Sequence, residues 1–475
     1  MIQFYLNGRK IHTDALPGSA LLDFIRNEQG LKGTKLVCKE GECAACAVLV
    51  GTLEGGRVHY QNMCSCIMPL ANAHGKHIVT IEGLNGEELT PVQQAMVDCH
   101  GSQCGFCTPG FVVSLTGALL RAERPGYRQL LKAIDGNICR CTGYKSIERA
   151  VQRIAEALPE EAYGLETLLQ QGYLPAYFRQ MAANLATINE PANDSRPEKE
   201  PATTAPLYLG GGTDLLVQMP RKVQHSAVLP VFTQPALKGV REENGRCTIG
   251  AAATATELEQ SGVIQSILHP QDDFFHLLSS SPIRNMSTVG GNLINASPIG
   301  DFTVLFLALD SSIRLQAGGH ARTVKLKDFY RGYKKMDRQP EEHLVAIEFE
   351  RPPKGVCFSF EKVSARRNLD IASVNTAASL AIDGAGRIQT IHLSAGGVGP
   401  IPMYLRQTSQ FLRGKVLDEP LLKEALDVLQ EEIAPISDAR GAADYKRRLL
   451  RQLMLAHFLK AAPERVDILF VARSS

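Results

Sequence analysis

Apolar and polar positions alternate through much of the first sixty residues, the period of half-buried strands. Residues 2 to 13 predict a β-hairpin turning at Asn7-Gly8, and Ala47 to Leu53 with Arg57 to Gln61 predict another around Gly55-Gly56. Between them, Leu21 to Asn27 reads as a short helix entered through Ser19, followed by a loop that carries cysteines. From Pro91 the apolar spacing changes to threes and fours, at Val92–Met96, Phe111–Leu119, Leu130–Ile134 and Ile147–Ala157, which predicts a small helical bundle. Pro109 suits the first turn of its helix and Gly136 the end of another. Leu165–Leu169 and Phe178–Leu185 look helical but carry no visible chemistry, so residues 160 to 192 are expected to be a packing extension. Asn193 to Pro206, with Pro197 and Pro201 among Asp, Ser, Glu, Lys and Thr, has linker composition. Beyond Leu207, strands and helices mix with glycine-rich turns, and after about Cys357 come helices such as Leu421–Leu429 and Tyr445–Leu459. The fold class expected is multidomain α+β, with segments at 1–84, 85–160, 161–205, 206–354 and 355–475.

A length of 475 residues agrees with several cores, since a typical domain has about 150 residues. The 51 basic and 49 acidic residues leave a net charge of +2 without long blocks of one sign, which argues against nucleic acid or a membrane surface as partner. The most apolar stretch, Phe111 to Leu120, is broken by Ser114, Thr116 and Gly117 and falls short of the ~20 residues of a membrane span. Met1 leads straight into a strand pattern, leaving no room for a secretory leader, so a cytoplasmic protein is expected. Ten of the twelve cysteines lie between Cys38 and Cys141, and such clustering in a reducing compartment points to metal ligands over disulfides.

Cys38, Cys43 and Cys46 have the spacing C-x₄-C-x₂-C, and a further thiol follows at Cys64 or Cys66. This is the plant-type [2Fe–2S] arrangement, with Gly41 letting backbone N–H groups approach sulfur. The competing assignment is structural zinc, which more often pairs two short knuckles. Cys104 with Cys107 and Cys139 with Cys141 form a second set, each pair expected at the start of a helix, where the N-terminus favours thiolates. Cys99, Cys247 and Cys357 read as core residues.

Further on, the strand Leu207-Tyr208-Leu209 runs into Gly210-Gly211-Gly212-Thr213-Asp214. Glycines there allow backbone N–H groups to reach pyrophosphate oxygens, although a glycine run alone is more often a turn. Thr288-Val289-Gly290-Gly291-Asn292 offers a second set of donors with a hydroxyl and an amide, and two such cradles suit one dinucleotide. His74-Gly75-Lys76-His77 lacks a carboxylate partner and reads as a solvated loop. Arg366-Arg367 reads as a surface pair that could instead meet nicotinamide phosphates.

Lys39 to Cys43, Gln103 to Gly110, Gly136 to Tyr144, Gly210 to Leu215, Gly290 to Asn292, Ala296 to Asp301 and Ile436 to Gly441 together resemble the molybdenum hydroxylase family. The likeness is to the iron–sulfur/FAD portion of its purine-oxidising members and covers nearly the whole chain except residues 160 to 205. It implies a plant-type ferredoxin β-grasp domain, a helical [2Fe–2S]-binding bundle, an FAD-binding domain of the PCMH/vanillyl-alcohol-oxidase type and a C-terminal α+β lobe. It also implies Cys66 as the fourth ligand of the first set, Asp301 as acceptor for ribose or ribityl hydroxyls, Lys362 near the flavin, and Leu278 and Leu344 lining its pocket. By the same resemblance, molybdopterin lies on a large partner subunit, in a heterodimer or dimer of heterodimers, and electrons pass through both clusters to FAD and then to NAD. Two departures stand out: Ala44 replaces a glycine common in the first cluster loop, and Val231-Phe232-Thr233-Gln234 replaces an acidic pattern after the flavin glycines.

Overall fold

The computed structural model describes residues 1–121, 123–160, 163–188, 206–268, 274–366 and 369–467, so most of the expected linker and Arg367 lie outside the described residues. The chain divides into two compact units, Met1–Thr233 with Ser280–Ser287, and Gln234–Ser279 with Thr288–Ser475.

The first unit opens with the strands β1 (Ile2–Leu6), β2 (Arg9–Thr13), β3 (Ala47–Glu54), β4 (Arg57–Cys64) and β5 (His77–Val79). They form a sheet in the order β2-β1-β5-β3-β4, in which only β1 and β5 run parallel. Residues on β1 alternate between buried and half-buried, whereas β3 is buried continuously from Ala47 to Gly51 because the helix Thr108–Leu119 packs over it. The short helix after β2 starts at Leu21, one residue later than a Ser19 cap would place it, and widens into a π turn at Phe24–Glu28. Four helices follow, Pro91–Asp98, Thr108–Leu119, Tyr127–Ala133 and Lys145–Ala157. The first is held by a reciprocal Thr90/Gln93 capping box, and the last buries Ile147, Ala150, Val151 and Ile154 on one face.

The segment after this bundle does pack. The turn Ala176–Gln180 sets the rings of Tyr177 and Phe178 against His77, with ring centroids 5.7 and 5.5 Å away. This overturns the solvated-loop reading of His77, which lies fully buried on β5. Its Nε2–H donates to the Asn7 carbonyl at 2.9 Å, so Nδ1 accepts from the Tyr60 hydroxyl at 2.8 Å. The unit ends with the parallel pair β6 (Leu207–Leu209) and β7 (Val228–Pro230), joined by the helical turn Ser281–Arg284 from later in the chain.

The second unit contains β8 (Val240–Glu243), β9 (Arg246–Gly250), β10 (Ser312–Ala317), β11 (His320–Lys325), the ribbon β12 (Tyr330–Gly332) and β13 (Lys335–Met336), and β14 (His343–Glu350). Its first sheet is antiparallel in the order β11-β10-β14-β9-β8. A second, formed by β15 (Cys357–Val363), β16 (Val374–Ile382), β17 (Ile388–Gly396) and β18 (Met403–Tyr404), follows chain order. Helices Glu419–Glu432 and Ala443–Ala461 contribute to a separate core with it, and both contain the helical stretches expected there. Among the described residues no helix is long and apolar enough to cross a membrane.

Candidate functional site

Cys38, Cys43 and Cys46 lie on the loop before β3, and Cys66 lies on the 3₁₀ turn Ser65–Ile67 after β4. Left-handed backbone at Lys39 (φ 59°), Gly41 (φ 78°) and Ala44 (φ 46°) coils the loop. A Cβ on Gly41 would approach Ile283 Cδ1 to 2.5 Å and Ile67 Cδ1 to 2.6 Å, so these side chains would have to shift, and the left-handed φ itself favours glycine. The Cys38 and Cys43 sulfurs are 3.3 Å apart, and Cys66 is within hydrogen-bond reach of both Cys38 and Cys46. Ser65 fastens the turn to the loop, its N–H and hydroxyl donating to the Cys46 carbonyl at 3.3 and 2.7 Å. Cys64 is wholly buried, reaches Cys46, and donates to the Gly41 carbonyl at 3.7 Å.

In the second set Cys107 caps the helix Thr108–Leu119, as expected, but Cys139 and Cys141 do not open a helix. They occupy the turn ahead of Lys145–Ala157, because Gly143 (φ 62°) and Tyr144 (φ 66°) are both left-handed and redirect the chain first. The Cys104 and Cys141 sulfurs are 3.5 Å apart, and Cys107 meets Cys139. The Thr142 hydroxyl lies 3.1 Å from Cys139 Sγ, and the Tyr144 hydroxyl accepts from the Cys139 N–H at 3.1 Å. The two loops also touch: the Ile138 N–H donates to the Cys43 carbonyl at 3.2 Å, and Asn137 Nδ2 to the Ala44 carbonyl at 3.4 Å.

Among the described residues no three His, Cys, Asp or Glu side chains surround a point as ligands of one metal ion would. The thiols approach one another directly: Cys104 meets Cys141 and Cys107 meets Cys139, while in the first set Cys38 meets Cys43 and Cys66, and Cys46 meets Cys64 and Cys66. That suits a two-iron cluster, in which each iron takes two thiolates. Each pair holds one thiol low and its partner high. Hydrogen bonds from Cys43 and Cys66 depress Cys38, while the bond to Cys38, with burial, raises Cys43. Cys46 is depressed by Cys64 and Cys66, and Cys66 is raised by Cys38 and Cys46. The Phe106 N–H and the Cys141 thiol lower Cys104, and Cys141 rises in turn. Burial and Cys139 push Cys107 up to about 12, whereas burial of Cys139 is outweighed by donors from Thr142.

Leu207, Tyr208 and Leu209 form β6 as expected and deliver Gly210–Asp214 at its end. The loop lies against the turn that carries Cys66. A Cβ on Gly212 (φ 84°) would meet Pro69 Cδ at 2.6 Å and the Ile67 carbonyl at 2.8 Å, and one on Gly211 would strike the Met286 carbonyl at 1.7 Å. Asn72 Nδ2 donates to the Gly210 carbonyl at 2.8 Å. Among the described residues the N–H groups of Gly211, Gly212 and Thr213 have no backbone or side-chain acceptor, so the loop presents successive free donors, a fit for a diphosphate.

The other glycine-rich segment belongs to the second unit. Thr288 caps the helix Val289–Asn295, its hydroxyl accepting from the Gly291 N–H at 3.1 Å, and a Cβ on Gly290 would come 2.7 Å from the Ala251 carbonyl. Asn292 Oδ1 accepts from the Thr303 hydroxyl at 3.3 Å. Asp301 is bound by Lys362 Nζ at 2.8 Å and Asn375 Nδ2 at 2.5 Å, and Lys362 also donates to the Leu277 carbonyl at 2.9 Å. The Lys362 side chain is only 2% exposed, so it is no solvated surface lysine. Leu278 and Leu344 are buried within the apolar core of this unit. Asn72, Ile138 and Asn375 carry no sequence signal of their own, since their partners lie 138, 95 and 74 positions away.

Four domain families match the chain: a 2Fe-2S iron-sulfur cluster binding domain at residues 4–71, a [2Fe-2S] binding domain at 80–152, the FAD binding domain in molybdopterin dehydrogenase at 198–352, and the CO dehydrogenase flavoprotein C-terminal domain at 359–461. Xanthine dehydrogenase 1 of Arabidopsis thaliana is 29% identical over 96% of this chain and 39% of its own length. Xanthine dehydrogenase/oxidase of Gallus gallus is 27% identical over 96% of this chain and 40% of its own. The chain therefore spans about two fifths of these relatives. A carbon monoxide dehydrogenase from Hydrogenophaga pseudoflava, lacking the Mo-pyranopterin moiety, superposes with a TM-score of 0.50 at 25% identity, covering 55% of this chain and 90% of the other. The chain thus carries two [2Fe–2S]-binding domains and one FAD-binding domain.

Proposed function

Because the chain belongs to the molybdenum hydroxylase family through its iron–sulfur and flavin domains, we propose that it is the electron-transfer subunit of a xanthine dehydrogenase. When bound, FAD exchanges electrons in pairs or singly and each [2Fe–2S] cluster exchanges one, which links a two-electron oxidation on a partner to a two-electron acceptor such as NAD. The observation that carries this reading is the placement of the Gly210–Asp214 loop against the turn bearing Cys66.

Within that role Cys38, Cys43, Cys46 and Cys66 hold one cluster and Cys104, Cys107, Cys139 and Cys141 the other. The Ile138 N–H to Cys43 carbonyl bond joins a residue adjoining Cys139 to a ligand of the first set, and so offers a short bonded route between them. Gly211, Gly212 and Thr213 offer their N–H groups to a diphosphate, and the missing Cβ atoms of the two glycines let the loop pack on Met286, Pro69 and Ile67. In the second unit the Lys362–Asp301–Asn375 group fixes the carboxylate beside Thr288–Asn292 in sequence. Substrate chemistry then falls to a large molybdopterin-binding subunit in a cytoplasmic complex.

A second reading has the same module serving another hydroxylase, acting on an aldehyde, an N-heterocycle or carbon monoxide, and the likeness to the Hydrogenophaga protein supports it. The anaerobically purified complex discriminates. The primary reading expects broad flavin and cluster absorption bleached by dithionite and by NADH, two distinct EPR signals, a co-purifying large subunit and bleaching by xanthine. Bleaching by another substrate but not by xanthine favours the second reading. A colourless protein that contains zinc would overturn both.

A further inference from the structure

We propose that Asn72, in the ferredoxin-like domain, is a positioning residue for FAD that sets the direction of the diphosphate-binding N–H groups; this rests on the reading of Gly210–Asp214 as the diphosphate loop. Asn72 lies on the 3₁₀ turn Leu70–Ala73, six residues after Cys66, and is 1% exposed. Its Nδ2 donates to the Gly210 carbonyl across 138 positions of sequence at 2.8 Å.

A trans peptide holds its carbonyl and the following N–H in one plane, pointing in opposite directions. Pinning the Gly210 carbonyl toward Asn72 therefore turns the Gly211 N–H away from the ferredoxin-like domain. Gly210 and Gly211 have no side chains to fix that plane, and Gly212 is held left-handed at φ 84°. Without the Asn72 bond the peptide could rotate and present a carbonyl to an anion, which repels it. The other end of the amide argues that stability alone does not explain the residue. Asn72 Oδ1 is buried with no hydrogen-bond partner among the described residues, an arrangement that costs stability.

The test compares full-length protein with Asn72→Leu, which keeps approximate shape but cannot donate, and with Asn72→Ala. Each is stripped of flavin and titrated with FAD, with thermal unfolding and both cluster EPR signals recorded. The expected result is FAD binding weakened roughly two- to tenfold, the worth of one buried hydrogen bond, with EPR signals unchanged and the Leu variant melting no lower than wild type. Unchanged FAD affinity in both variants overturns the proposal, as does weakening matched by a loss of stability and cluster signal in both. If the wild-type chain binds no FAD, the flavin reading itself fails, which is a separate outcome.

Discussion

Ala44 sits in the first cluster loop with φ 46°, fully buried, in a backbone region where a Cβ crowds the following carbonyl. A glycine at this position would carry no such strain, so Ala44→Gly should stabilise the protein by about 1 kcal/mol. Chemical denaturation of the cluster-loaded protein, with iron content as control, measures this. A loss of stability would show that the Ala44 methyl group contributes packing worth more than the strain. Gly41, three residues earlier, already has the residue its left-handed φ of 78° favours, and a Cβ there would also press on Ile283 and Ile67. Lys362 shows what residue identity alone leaves out: the approach of Asp301, 61 positions away, accompanies its burial.

Among the elements, the turn Ser281–Arg284 has the largest consequences for its size. Arg284, 1% exposed, donates to Asp135 Oδ2 at 2.9 Å, and Asp135 Oδ1 accepts from the Ser281 N–H at 2.8 Å. Asn285 Nδ2 adds bonds to the Asn62 carbonyl and Oδ1 on β4 at 2.9 and 3.0 Å. Asp135 lies four residues before Cys139, so the pair braces the turn leading into the second cysteine set. Removing one member strands a buried charge: Arg284→Gln or Asp135→Asn should cost about 3–5 kcal/mol, whereas Arg284→Met with Asp135→Leu should recover much of that. Unfolding curves of the three variants check this, and equal losses in single and double variants would refute the pairing argument. Periodicity made the hairpins, the four-helix bundle and the long C-terminal helices legible in the sequence, and cysteine spacing made the two sets legible. The Ser281–Arg284 turn was not, because its partners are 146 to 149 positions away and four residues carry no period. The π turn after Leu21 and the left-handed Tyr144 escaped for a related reason: each breaks the local rule its residues suggest.

For the whole molecule, each unit has, among the described residues, one deeply buried neutral histidine. Burial brings His77 in the first unit and His457 in the second down to about 3. Both His457 nitrogens are engaged by hydroxyls, Ser359 Oγ at 2.6 Å and Thr376 Oγ1 at 2.8 Å. A folded value below the unfolded one of roughly 6.5 means that the unfolded chain takes up the proton first. The contribution is complete above about pH 6.5 and is lost as pH falls toward the folded value. Between pH 7 and 5 the wild type should therefore lose about 2 kcal/mol more than His457→Gln. Parallel denaturant titrations at the two pH values measure it, and identical losses would mean that His457 ionises freely while folded. The assignment of Ser280–Ser287 to the first unit bears on how such a protein can be divided. A fragment ending at Thr233 would expose the pocket that Ile283 and Arg284 fill, so the iron–sulfur portion is not a detachable bead. Were the same parts made from two genes, that eight-residue contact would have to form between molecules. One continuous chain instead supplies it as an intramolecular event, which makes fusion itself a means of assembly.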